Sequence, residues 1–118
     1  MKIALLLLLT AGLLMPAEQE ANFTIRFEPT AVLQTGVPVP VQINVTDARR
    51  KPVEQAQVTL QIETPEHKQT KVFRASAISP GVYVAKPEFP ETGQWNIYVE
   101  VRRNDRLSTR TDQFEVPK

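Results

Sequence analysis

The sequence predicts an all-β domain, a two-layered antiparallel sandwich of about seven short strands preceded by an N-terminal export leader. Three observations carry that prediction. After residue 17, apolar residues recur at every second position, the period of a strand with one wet face, and no stretch repeats every 3.6 residues. Proline, glycine, asparagine and aspartate separate these runs at short intervals. Finally, Gly81-Val82-Tyr83-Val84 and Gly93-Gln94-Trp95-Asn96 share one design, a glycine two residues before an aromatic and then β-type residues. A small barrel is the competing arrangement of the same strands.

The chain opens with Lys2 and an apolar run from Ile3 to Met15, followed by Pro16, Ala17 and the polar Glu18, Gln19 and Glu20. A positive residue, a short apolar stretch and small residues after it describe a secretory signal peptide. As a helix the run reaches about 20 Å. The hydrocarbon core of a bilayer needs about 30 Å, so the run is too short for an anchor. Residues 1–17 are therefore expected to be removed, with cleavage after Ala17 or as late as Ala21. Residues 22–118 then form one domain, long enough for a single core.

Phe23, Ile25 and Phe27 alternate with Thr24, Arg26 and Glu28 in the first strand, which Pro29 ends because it cannot donate to a ladder. Residues 30–40 are irregular. Val41, Ile43 and Val45 mark the second strand, and the polar stretch Asp47–Pro52 reads as a turn. Ala56, Val58, Leu60 and Ile62 mark the third strand. After a polar loop from Thr64 to Thr70, Lys71–Ala75 is the fourth. Ser79-Pro80-Gly81 turns into a fifth, Val82–Lys86. The Pro87–Gly93 loop leads to the sixth strand. There Trp95, Ile97, Val99 and Val101 share one face, and Asn96, Tyr98, Glu100 and Arg102 the other. Asn104-Asp105 predicts a tight hairpin into a last strand, Leu107–Val116. The alternation slips between Thr111 and Phe114, which predicts a bulge there.

Composition excludes several functions. The full chain has 14 basic and 13 acidic residues. Cleavage after Ala17 leaves a formal charge of zero, and cleavage after Ala21 leaves +2. Neither suggests a nucleic-acid binder, which carries a strongly basic domain or face. There is no cysteine, so the core holds without disulfides and no lipid can be attached to an N-terminal cysteine.

The stretch Val45-x-Asp47-x-x-x-x-Pro52-Val53-x-x-Ala56-x-Val58 resembles a pattern of bacterial immunoglobulin-like modules. Joined to Pro80-Gly81-x-Tyr83 and Gly93-x-Trp95-x-Ile97-x-Val99, it resembles the YtkA-like domain, which is related to the FixH-like family. The resemblance covers roughly residues 22–116 and implies an immunoglobulin-like sandwich of an exported or membrane-tethered protein. Arg50 stands where the pattern has glycine, and Gln55 replaces another small residue. The hairpin between the second and third strands is therefore expected to turn without glycine. Some relatives in this broad group are linked to copper handling. Copper in an exported protein calls for His, Met or Cys ligands. Both methionines, Met1 and Met15, lie in the leader, and what remains holds one histidine and no cysteine. No metal site and no cofactor are expected.

Catalytic signals are equally sparse. His67 has only Glu66 beside it and reads as an exposed loop residue. The carboxylates fall at strand ends and turns, and no serine sits in a G-x-S-x-G elbow. The expected protein is a non-enzymatic interaction or accessory module of the periplasm or cell surface with a protein partner. The alternative is a carrier of a small ligand or anion. The candidate contact residues are Arg49 and Arg50 in the basic turn, Arg102, Arg103, Arg106 and Arg110 around the last hairpin, and Tyr98 on the wet face. For the hairpin arginines the preferred reading is as guards of a sheet edge, with an anion-binding patch or pairing to Glu100 and Asp112 as the alternatives.

Overall fold

The computed structural model describes residues 19–118. The expected leader, residues 1–17, lies outside the described residues. Those residues form nine strands and no helix. In chain order they are β1 (Gln19–Glu20), β2 (Thr24–Pro29), β3 (Val41–Thr46), β4 (Gln57–Glu63), β5 (Thr70–Arg74), β6 (Ser76–Ser79), β7 (Val82–Ala85), β8 (Gly93–Arg103) and β9 (Arg106–Val116). One sheet has the order β1-β9-β8-β4-β5 and the other β2-β3-β7-β6. Every pairing is antiparallel except that of the two-residue β1 with β9. The seven expected strands are all present. The two additional strands, β1 and β6, are too short to show an alternation.

The period-2 pattern explains which face each strand buries. On β8 the side chains of Trp95, Ile97, Val99 and Val101 are fully buried. They meet Val58, Leu60 and Ile62 of β4, and from the other sheet Val41, Ile43 and Val45 of β3 with Tyr83 and Ala85 of β7. Phe89 and Trp95 pack edge to face, with centroids 5.7 Å apart, and the Trp95 Nε1–H donates to the Glu91 carbonyl at 3.0 Å. The indole thus fills the core while its single polar group is satisfied at the rim.

Two sequence expectations are corrected. The last strand carries no bulge, because β9 pairs with β8 in unbroken register from Arg106↔Arg103 to Val116↔Gly93. The apparent slip comes from Arg110 and Asp112, which occupy the inward face between Ser108 and Phe114, where apolar residues were expected. The bulge lies instead between Ala77 and Ser79, where β6 pairs with β7. The turn after the second predicted strand is not a hairpin: β3 and β4 belong to different sheets, so the segment between them crosses the sandwich.

The strand directions define two ends. The β3–β4 connection, the Ser79–Gly81 turn and the Asn104-Asp105 turn lie at one end. The chain enters there too, since β1 runs parallel to β9 from Gln19↔Arg106. The 30–40 loop, the Thr64–Gln69 loop and the Pro87–Gly93 loop lie at the other end, where bridges join Thr35 to Phe89 and Pro38 to Glu88.

Candidate recognition surface

The basic turn and the basic hairpin, more than fifty residues apart in sequence, meet at the entry end. The β3–β4 connection is shaped locally. Asp47 Oδ1 accepts the backbone N–H groups of Arg49 (2.8 Å) and Lys51 (2.9 Å), and Asp47 N–H donates to the Lys51 carbonyl. The Lys51 N–H, joined by that of Arg49 and by the positive charges of both residues, holds the Asp47 carboxyl below its usual value. Arg50 takes φ of 65° at the tip. With Asp47 turned onto its own loop, Arg49, Arg50 and Lys51 are left pointing into solvent.

Across the gap, Asn104 takes φ of 56° in a two-residue turn and sets Arg103 opposite Arg106. Arg49 and Arg106 line one depression of about 220 Å³ with Asn22, Phe23, Asp47 and Ala48. None of Arg49, Arg50, Arg103 and Arg106 has an ion-pair partner among the described residues. Four unpaired guanidiniums at one end form a locally positive surface. The part played by Asn22 and Phe23 was not visible in the sequence, because it depends on a contact more than eighty residues long.

The remaining candidates are distributed elsewhere. Arg102 lies on the outer face of β8, 3.7 Å from Glu100. Arg110 projects from the opposite face of its sheet, so the two do not share a side. Its Nη1 donates to the Ile25 carbonyl at 2.7 Å and its guanidinium lies 5.8 Å from the Phe27 ring centroid. Arg110 therefore ties β9 to the free edge of β2 and closes that side of the sandwich. Tyr98 is 37% exposed in the middle of the outer sheet face. The Pro87–Gly93 loop lies at the far end, where Gln69 bonds Glu91. His67 is exposed there with φ of 62°, and its Nδ1 meets Glu63 rather than Glu66. Among the described residues no three His, Cys, Asp or Glu side chains gather in one place.

The motif that prompted the family resemblance holds the two sheets together. Val45 N–H donates to the Gly81 carbonyl, and the Val45 carbonyl accepts from Val53. The buried Tyr83 hydroxyl donates to the Val53 carbonyl at 2.8 Å and accepts the Ala56 N–H at 3.2 Å. Pro52 sits directly against Gly81. Arg50 and Gln55, the departures from the pattern, both adopt the left-handed backbone that glycine adopts without strain. Tyr83→Phe leaves the Val53 carbonyl and the Ala56 N–H without their buried partner. It is expected to lower unfolding free energy by about 1–3 kcal/mol with the fold kept. Urea denaturation followed by circular dichroism measures this, and an unchanged midpoint would remove Tyr83 from the account of the crossing.

Comparison with known proteins gives the same assignment. The family model described as YtkA-like matches residues 17–100, from before β1 into β8. No curated protein matches the chain. The matched region contains every residue of the Tyr83 crossing and most of the core, and the chain belongs to the YtkA-like family.

Proposed function

We propose that this protein is a non-catalytic exported domain that recognises an acidic protein surface through its entry end. The convergence of the Asp47–Pro52 turn with the Arg103–Arg106 hairpin carries the reading: it brings Arg49 and Arg106 into one depression and leaves four guanidiniums unpaired. Export rests on the charged, apolar and small-residue order of residues 2–17. Exposed arginines around a concave rim fit carboxylates, because the planar guanidinium offers paired donors at little cost in preorganisation. A small-anion carrier is the second reading, since the same depression could hold a compact oxyanion between Arg49 and Arg106.

The test is affinity capture from a periplasmic extract with the chain and with the double variant Arg49→Glu/Arg106→Glu. A partner held by the native chain is expected to bind the variant at least about tenfold more weakly, and to be released by moderate salt. Equal recovery by both proteins would remove the entry end from recognition. Saturable binding of phosphate or citrate by the native chain, with no protein captured, would favour the carrier.

A further inference from the structure

We propose that the β5 edge is a self-association surface on which two copies pair antiparallel about Val72, joining their five-stranded sheets into one. The inference is independent of the entry-end reading and starts from a difference between the two sides of the sandwich. On the β2/β9 side every edge carries a guard. β1 and Ala21 cover the start of β9, where Ala21 N–H donates to the Leu107 carbonyl and Ser108 Oγ to the Ala21 carbonyl. Asp112 Oδ1 accepts the Gln113 N–H, Arg110 takes the Ile25 carbonyl, and Pro29 ends β2. Charges and proline of this kind are how natural sheets keep their edges from pairing.

On the other side one segment, residues 70–79, supplies the edge of both sheets, as β5 in one and β6 in the other. It also carries two of the large apolar residues left in water, Val72 at 61% exposure and Ile78 at 60%. The bulge in β6 interrupts that edge, whereas β5 pairs with β4 in unbroken register from Thr70↔Glu63 to Arg74↔Thr59. β5 therefore presents a regular edge with an exposed valine at its midpoint, flanked by the charges of Lys71 and Arg74.

Backbone direction fixes which groups are free. Ala75 N–H donates to the Val58 carbonyl on β4. By alternation Phe73 and Lys71 also turn their backbone groups toward β4, and Thr70, Val72 and Arg74 turn theirs away. In a pair centred on Val72, Thr70 faces Arg74 of the second copy and Val72 faces its own counterpart. All three outward residues then exchange N–H and C=O groups with their opposites. On the outer face the two Val72 side chains cover each other. Arg74, which has no partner among the described residues, lies on the row that runs through Thr70 to Glu63 of the other copy, so the twofold supplies two complementary charge pairs. Moving the centre to Lys71 would oppose like charges, which leaves the Val72 register favoured.

Sedimentation equilibrium over a concentration series of the native chain tests the pairing, and a reversible monomer–dimer equilibrium is the expected result. Val72→Lys is expected to raise the dimer dissociation constant at least about tenfold, because the substitution acts twice across the axis. Val72→Pro removes only an outward N–H, leaves the ladder to β4 intact, and is expected to yield monomer. Since the chain has no cysteine, Val72→Cys introduces a single thiol, and mild oxidation is expected to link two copies through it. In this register Arg74→Cys does not link to itself. A native chain that stays monomeric at millimolar concentration overturns the proposal, as does a dimer that Val72→Lys leaves intact.

Discussion

Trp95→Ala is expected to destabilise the chain by about 3–5 kcal/mol, the range measured when a buried aromatic is truncated to alanine. Three losses add together. Trp95 is fully buried and is the largest side chain of the core. Its removal deletes the edge-to-face contact with Phe89, itself fully buried, and leaves a void that the β8 backbone cannot close, because β8 is held by ladders on both sides. It also leaves the Glu91 carbonyl without the indole N–H that anchors the Pro87–Gly93 loop. A domain of this size has a total stability of about 5–15 kcal/mol, so the loss consumes much of it. Trp95→Phe separates the losses. It keeps an aromatic against Phe89 and loses mainly volume and the N–H, and it is expected to cost less than the alanine variant. Denaturation must be followed by far-ultraviolet circular dichroism, since Trp95 is the chain's only tryptophan. A loss below about 1 kcal/mol for Trp95→Ala would show that the indole does not pack as described.

Trp95 also shows why the fold could be read from the sequence. Its strand alternates without interruption through Val101, and a one-residue slip would put every apolar side chain into water. The same holds for β3 and β4, which appear where the period places them. β1 and β6 lack that signal. β1 has two residues, and β6 (Ser76–Ser79) is exposed at every position, so its pairing with β7 is decided by backbone contact alone. The bulge expected in β9 was an inference from polarity. Arg110 and Asp112 sit on an inward face at the side of the sandwich, where Arg110 is used for the Ile25 carbonyl and the Phe27 ring of β2, so a regular strand carried residues that looked out of phase.

The recognition surface was legible as an inventory and illegible as a place. The sequence marks Arg49, Arg50, Arg103 and Arg106 as exposed because each stands in a polar turn. That the two turns share an end depends on β3 and β4 entering different sheets, and no local pattern encodes that. The same limit misplaced Arg110, whose grouping with Arg102 assumed nearness along the chain. The hairpin register pairs Arg102 with Leu107, so Arg110, three positions farther along β9, falls on the opposite face with Val99 and finds its partners on β2.

The turn that admits β7 to the sandwich supports the second large expected effect. Gly81→Ala is expected to cost about 2–4 kcal/mol. Gly81 has φ of 74°, a conformation that costs a residue with a Cβ about 1–2 kcal/mol. A Cβ there would also stand 2.6 Å from Pro52 Cβ and 3.0 Å from both Pro52 Cα and the Val45 carbonyl oxygen. None of these atoms lies at the end of a flexible side chain, so the β3–β4 connection would have to shift. Overpacking of this kind adds about 1–3 kcal/mol. The chain supplies its own control. Gly36 has nearly the same φ, 75°, and a Cβ built on it meets nothing within 4 Å. Gly36→Ala is therefore expected to cost only the conformational part, and the difference between the two variants, read from urea midpoints at equal slope, isolates the clash. Equal losses would mean that Pro52 does not press on Gly81. Because Val45 N–H bonds the Gly81 carbonyl and Pro52 leads directly into the Val53–Tyr83 bond, a shift there is also expected to loosen the Tyr83 hydroxyl contacts. The Gly81→Ala/Tyr83→Phe double variant should then lose less than the sum of the two single losses.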